Sequence, residues 1–335
     1  MTLCTAYIRQ VNETEELVFA TDSCLTGGEK WKHGIKLFRI PKRDCLLCFA
    51  GSTARAYPLV LNLVSSIHLD KYLQSPEASL QDVLEYLSSL FTDLITKIIS
   101  EIQGEDIHEL RSGVQFLFGG WDWRAGASGA FRVWKLYYSQ GVEGFIFDEL
   151  TNNGKKRFYT FLGDPEEIEG VAREMYKKML FDKDIHDDAI DMEPLMILRD
   201  ISLDDAHRAI DGSLQIGKVY KSNKSEFFGI YWPSSKGKPC FQGREYNELN
   251  KPLLRYFNPD SFEIFESDLP DKLTQITEEI YGSDFEFVST CYETSGHLKS
   301  GLPEKSKHNL KLIFKDLAYR LFIQQQSEEE TVDEP

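Results

Sequence analysis

The stretch Ala20-Thr21-Asp22-Ser23-Cys24-Leu25-Thr26-Gly27-Gly28 decides how this chain is read. Leu17-Val18-Phe19-Ala20 runs straight into it, so an apolar strand delivers an acid, two hydroxyls and a glycine pair at one point. A strand end and a polar turn would explain the composition alone. Three other stretches ask for more. Met1-Thr2 opens the chain. Lys36 interrupts the apolar run Gly34-Ile35-Lys36-Leu37-Phe38, where an ammonium is costly to bury without a carboxylate, and Asp22 is the obvious partner. Phe49-Ala50-Gly51-Ser52 ends another strand, and Gly51 has no side chain to block an approach to its N–H.

Together these suit amide cleavage by a chain terminus. A free α-amine has an ordinary pKa of about 8 and can act as general base near neutral pH. An N-terminal threonine therefore carries its own nucleophile and its own base. A cation beside it favours the attacking alkoxide, a carboxylate holds that cation, and a backbone N–H receives the oxyanion. Thr2 becomes the terminus once Met1 is removed, and a small second residue permits that removal.

With these residues in this order, the chain resembles the proteasome β-subunit and bacterial HslV peptidase family, over roughly residues 2–220 in element order. The resemblance implies an N-terminal-nucleophile hydrolase of the α+β class, a four-layer αββα sandwich, cleaving peptide (amide) bonds. It assigns Thr2 as nucleophile, Asp22 and Lys36 as the acid–lysine pair and Gly51 as oxyanion donor. It gives Thr26 to substrate alignment through its backbone, and Phe49 to a wall of the specificity pocket. It also implies a peptide or protein substrate, a homo-oligomeric ring and an ATPase or other protein partner acting through the C-terminal extension.

Two departures stand against it. Gly163-Asp164-Pro165 replaces the family's Gly-Ser-Gly, so Asp164 stands where a supporting serine is expected. Asp164 reads either as a support to the amine or as a helix cap with Pro165 at the first helical position. The family's further Asp, with a Ser three residues on, finds no clean match among Asp205, Asp211 and Ser213. Two alternatives therefore stay open: a catalytically inactive proteasome-like scaffold or interaction subunit, and a small-molecule amidohydrolase of the same fold.

The whole composition is compatible. The chain has 335 residues, 41% hydrophobic, which allows one large domain or an ordinary one with an extension. A net charge of −16 argues against nucleic acid or an anionic membrane as partner. Met1-Thr2-Leu3-Cys4 lacks a signal-peptide pattern and no apolar window is long enough to span a membrane, so a cytoplasmic location is expected. The six cysteines are sparse and are expected as reduced thiols. Cys45-Leu46-Leu47-Cys48 reads as a core strand rather than a zinc or redox pair. With no His pair at metal spacing, no carboxylate cluster and no phosphate loop, no metal or cofactor is expected.

Strands are predicted at Leu3–Arg9, Leu17–Thr21, Ile35–Ile40 and Cys45–Ala50, then a helix capped by Ser52 and an amphipathic helix over Ser79–Glu101. Four more strands follow between Gly113 and Leu162, then helices from Asp164 and over Asp187–Ala209, the latter interrupted by Pro194. Leu214–Val219 and Phe227–Trp232 close the series. Strands and helices come in clusters, which suits antiparallel sheets faced by helix pairs. Residues 2–232 are expected to form this domain, and 233–324 an extension with a strand at Phe285–Cys291 and a helix at His308–Gln324. Residues 325–335 are expected as an acidic disordered tail.

Overall fold

Short-period alternation of apolar residues builds two antiparallel sheets, and the three- and four-residue spacing of others builds the helices that cover them. The structure, a computed structural model, describes all residues except 1, 12–13, 28, 42–43, 76, 99–105, 127, 152–157, 165–166, 184–189, 248–250, 253, 266–268, 271 and 331–335. The chain is mixed α+β with several sheets and divides into two compact units. One is Met1–Phe228 with Gln242–Arg244; the other is Gly229–Phe241 with Glu245–Pro335.

The first unit opens with β1 (Thr2–Val11) and β2 (Thr14–Thr21), followed by the short β3 (Leu25–Thr26) and β4 (Lys30–Trp31), which pair with each other. β5 (Leu37–Arg39) and β6 (Cys45–Gly51) lead into α1 (Thr53–Leu69), α2 (Leu80–Ile98) and α3 (Ile107–Ser112). Then come β7 (Val114–Asp122), β8 (Ala130–Ser139), β9 (Gly144–Glu149) and β10 (Tyr159–Asp164), α4 (Glu167–Asp182) and α5 (Glu193–Leu203). β11 (Gln215–Tyr220) and β12 (Lys224–Trp232) follow, β12 crossing into the second unit after Phe228. One sheet runs β10-β1-β2-β11-β12 and the other β5-β6-β7-β8-β9.

β6 shows how sequence decides the packing. Leu47 and Phe49 point to one face, into a cluster with Phe116, Trp134 and the apolar stripes of α1 and α2. Leu46, Cys48 and Ala50 point to the other, into a cluster with Cys4, Ala6, Leu17 and Phe19 of β1 and β2. Tyr176 of α4 packs on Tyr159 of β10, and Tyr7 of β1 donates its hydroxyl to Met192, just before α5. All six cysteines are free and buried, Cys45 and Cys48 within β6. Among the described residues no helix is long and apolar enough to cross a membrane.

The second unit contains the end of β12 paired with β13 (Lys238–Phe241) and β15 (Tyr256–Phe257). The two-residue β14 (Arg244–Glu245) precedes β15, which pairs with β16 (Ile264–Phe265). Helices α6 (Glu278–Tyr281), α7 (Phe285–Cys291) and α8 (Glu304–Glu330) share a core of Tyr281, Val288, Cys291, Tyr292 and Leu310.

Several sequence expectations are corrected. Phe285–Cys291 is a helix, not a strand: Val288 and Cys291, three apart, are its buried pair, and packing outweighs the β-formers in the segment. Pro194 opens α5 rather than interrupting it, because its fixed φ and missing N–H suit a first turn. Residues 325–330 continue α8, where the run Gln-Gln-Ser-Glu-Glu-Glu consists mostly of good helix formers. Lys36 precedes β5 instead of lying inside it. Ser52 makes no side-chain cap to α1; its carbonyl accepts the N–H groups of Arg55 and Ala56. Asp164 closes β10, and α4 starts three residues on, so the expected cap lies at the end of a strand; Pro165 is outside the described residues.

Phe49 is fully buried, stacked on Phe38 and edge-on to Tyr57. Phe49→Ala is expected to lower the unfolding free energy by about 3–5 kcal/mol in a urea melt, the usual cost of deleting a buried phenyl ring. A loss within the ordinary range of surface substitutions would contradict its place in the core.

Candidate functional site

Three side chains meet at one end of the first sheet. β2 pairs with β1 through Cys4↔Thr21 and Thr5↔Ala20, so Asp22 emerges beside the first residues of β1. Leu3 donates its N–H to Asp22 Oδ1 at 3.2 Å. Cys24 N–H donates to Asp22 Oδ2 at 2.9 Å, closing a tight Asx turn. The chain then loops and returns with Lys36, whose Nζ lies 2.8 Å from Asp22 Oδ2 and 2.9 Å from Thr2 Oγ. Asp22 and Lys36 are both 0% exposed, and Thr2 is 3% exposed.

Such burial costs several kcal/mol per ion unless each charge is paired and its remaining hydrogen-bonding capacity is filled. Asp22 meets that condition with two backbone N–H donors besides the ammonium. Lys36 is paired with the carboxylate and gives a second of its three N–H donors to the threonine hydroxyl. The result is a hydroxyl oxygen held against a fixed positive charge in a dry setting, where electrostatic interactions are strong.

Gln215, the first residue of β11, was missed by sequence reasoning. Its Oε1 accepts the backbone N–H of Lys36 at 3.0 Å and of Leu37 at 3.2 Å. Its Nε2 donates to Gly34 O at 2.7 Å and Asp22 O at 3.3 Å. One buried amide thus ties the lysine segment to the aspartate segment. The signal was present in the run Leu214-Gln215-Ile216-Gly217, where a polar side chain stands among apolar neighbours just as Lys36 does.

Gly51 and Thr26 line a cleft of about 1050 Å³, together with Trp31, Ser52, Thr53 and Arg55. Gly51 has φ +110°, and a Cβ there would collide with the Gly113 carbonyl, so the position demands glycine. Cys4 Sγ donates to the Phe49 carbonyl at 3.2 Å, tying β1 to β6 two residues from Thr2 and two from Gly51. Phe49 itself is a core residue and does not line the cleft. Asp164 is the register partner of Thr2 across β1 and β10. The structure thus brings Thr2, Asp22 and Lys36 together, sets Gly51 and Thr26 on one cleft, and puts Phe49 elsewhere.

The other nucleophiles nearby are committed or quiet. Thr5 Oγ donates to the Thr160 carbonyl at 2.9 Å. Burial, and then the charge of Asp22, push the Cys24 thiol up; burial and the neighbouring Cys4 push Cys48 well up. Neither favours the thiolate that a reactive cysteine needs. Asp211, unassigned from sequence, takes Lys30 and Lys32 at 2.6 and 2.9 Å. Burial raises its carboxyl, but the two lysines and the Gly212 N–H outweigh that and hold it below the ordinary range. Among the described residues no group of three or more His, Cys, Asp or Glu could hold a metal ion.

No protein-family profile matches the chain, and no curated protein matches it. The chain is similar to the Anbu complex from Pseudomonas aeruginosa, described as a helical assembly, at 16% identity and TM-score 0.46, over 67% of this chain and 85% of that one. It is also similar to Anbu (ancestral beta-subunit) from Yersinia bercovieri, at 17% identity and TM-score 0.43, over 67% and 86%. These findings correct the resemblance to the proteasome β-subunit and HslV family, since Anbu is a family distinct from it. No activity, partner or assembly passes to this chain from so distant a likeness.

Lys36→Met is expected to destabilise the protein by about 3–5 kcal/mol, because it leaves the Asp22 carboxylate buried without a countercharge. Adding Asp22→Asn should recover most of that loss, and strictly additive losses in denaturant melts would show that the pair is not coupled. Gln215→Leu should cost about 1–3 kcal/mol or more, for the backbone groups it leaves unpaired.

Proposed function

We propose that this protein, once Met1 is removed, is a threonine-type N-terminal-nucleophile hydrolase of amide bonds. The observation that carries the proposal is the chain of contacts from Asp22 through Lys36 to Thr2 Oγ, at 2.8 and 2.9 Å, in the buried setting described above. In the first step the Thr2 α-amine takes the proton from Thr2 Oγ, and the oxygen attacks the substrate carbonyl. Lys36, held by Asp22, stabilises the charge forming on Oγ. The Gly51 N–H receives the oxyanion. The amine then passes its proton to the leaving nitrogen as the C–N bond breaks, leaving an ester on Thr2. Water, activated by the same amine, attacks that ester and restores the hydroxyl.

The cleft carrying Thr26, Gly51 and Arg55 suits an extended peptide, with the Thr26 backbone as an edge for it to pair with. Asp164, the residue opposite Thr2, is assigned a supporting role at the amine. The packing of helices on both sheets, and of sheet on sheet, supports a four-layer αββα sandwich for residues 2–232. The six free cysteines support a cytoplasmic setting. Self-assembly into a homo-oligomer, with an ATPase or another protein docking on residues 233–335, completes the proposal.

One observation favours a non-catalytic scaffold instead: Thr2 is almost fully buried and does not line the cleft. Mass and turnover separate the two. Intact-mass spectrometry of the purified protein should show loss of Met1 alone. A peptide panel should then be cleaved by the wild type, not by Thr2→Ala, and still measurably by Thr2→Ser. Retention of Met1, or equal turnover by Thr2→Ala, would exclude Thr2 as nucleophile. Cleavage of small amides with no peptide turned over would identify a small-molecule amidohydrolase.

A further inference from the structure

Residues Gln242–Arg244 come late in the chain but pack within the first unit. Gln242 and Gly243 have φ of 51° and 81°, the two positive values of a type I′ turn between the strand ends Phe241 and Arg244. The turn sits against the loop that joins Asp22 to Lys36. A Cβ on Gly243 would lie 2.7 Å from Ser23 Cβ and 3.2 Å from the Gly34 carbonyl oxygen. The Gly243 carbonyl is 2.8 Å from His33 Nδ1, which donates to it.

Each touched residue is one to three steps from the buried pair. Ser23 joins Asp22 to Cys24, whose N–H holds Asp22 Oδ2. The Ser23 carbonyl accepts the Gly34 N–H at 2.9 Å, and the Gly34 carbonyl accepts Gln215 Nε2. On its other side, Ser23 Oγ donates to the Lys32 carbonyl at 2.6 Å, close by Gly212, which also has a positive φ of 82°. Ser23 is therefore confined by a glycine on each flank, and neither flank has room for a methyl group.

We infer that Gly243 is a positioning residue: the Gln242–Gly243 turn presses the Ser23 and Gly34 backbone into the one spacing that lets Asp22 and Lys36 meet under Thr2. It touches neither Thr2 nor the pair and acts through the loop alone. This role deepens the hydrolase proposed above and rests on it for its effect on turnover, but the effect on the ion pair stands independently of any activity.

The test uses the full-length protein. Gly243→Ala adds both a disfavoured φ and a collision, whereas Gly126→Ala adds the φ alone, since Gly126 has φ +64° and nothing within 4 Å of its Cβ position. The readouts are the 13Cε NMR resonance of Lys36 and the split between kcat and KM. Gly243→Ala should move the Lys36 resonance and lower kcat about 10- to 100-fold, the usual cost of a displaced catalytic group. KM should stay within about twofold, as for an interaction made only in the transition state. Gly126→Ala should match the wild type in both readouts. His33→Phe removes the donor to the Gly243 carbonyl on an exposed side chain, and should shift both readouts the same way. His33→Asn, which keeps a donor near the Nδ1 position, should restore them. If Gly243→Ala does not fold, the His33 pair decides. A folded Gly243→Ala or His33→Phe with an unmoved Lys36 resonance overturns the inference. If Thr2→Ala proves as active as wild type, the hydrolase fails, while the Lys36 resonance still decides the role of Gly243.

Discussion

A carboxylate and an ammonium, both withdrawn from water, constrain everything around Thr2. Neither Asp22 nor Lys36 is exposed, and they lie 2.8 Å apart. Removing either partner strands a charge in the interior, so the loop between them has little freedom. The chain answers that demand locally. Leu3 and Cys24 give their N–H groups to the carboxylate, and Gln215 accepts the backbone N–H groups of Lys36 and Leu37. Polar networks this deep specify one geometry because a half-satisfied version is worse than an apolar core.

Under the proposed function that rigidity has a chemical use. A threonine hydroxyl is a weak nucleophile in water. Here its oxygen accepts a hydrogen bond from a buried ammonium. The field that makes the pair costly also favours negative charge on Oγ. The cleft lined by Thr26 and Gly51 is shaped by a strand end that only glycine can make, Gly51 with φ +110° against the Gly113 carbonyl.

Much of this was legible in the sequence because it violates the rules that govern the rest. Lys36 among apolar neighbours predicts a buried partner, and Asp22 at the end of a strand supplies it. The continuous apolar run Cys45–Ala50 gives β6 and its two packed faces. Gln215 carried the same kind of signal as Lys36 yet passed as part of an ordinary strand, because a neutral amide is cheaper to bury than a charge. The resemblance gives Phe49 to a pocket wall, whereas the structure packs it with Leu47 into the helix-covered cluster, because residues two apart on a strand share a face. Phe285–Cys291 alternates like a strand, and only the surrounding apolar cluster makes it a helix. Contacts across 210 positions, as between His33 and Gly243, leave no local trace.

The most direct measurement of the central claim is chemical. A peptide β-lactone should acylate the purified protein once, and peptide mapping by mass spectrometry should place the adduct on Thr2 Oγ of a chain lacking Met1. The Lys36→Met variant, if folded, should form that adduct far more slowly. An adduct on any other hydroxyl or thiol, or none at Thr2 in folded protein, would contradict a nucleophile activated by the Asp22–Lys36 pair.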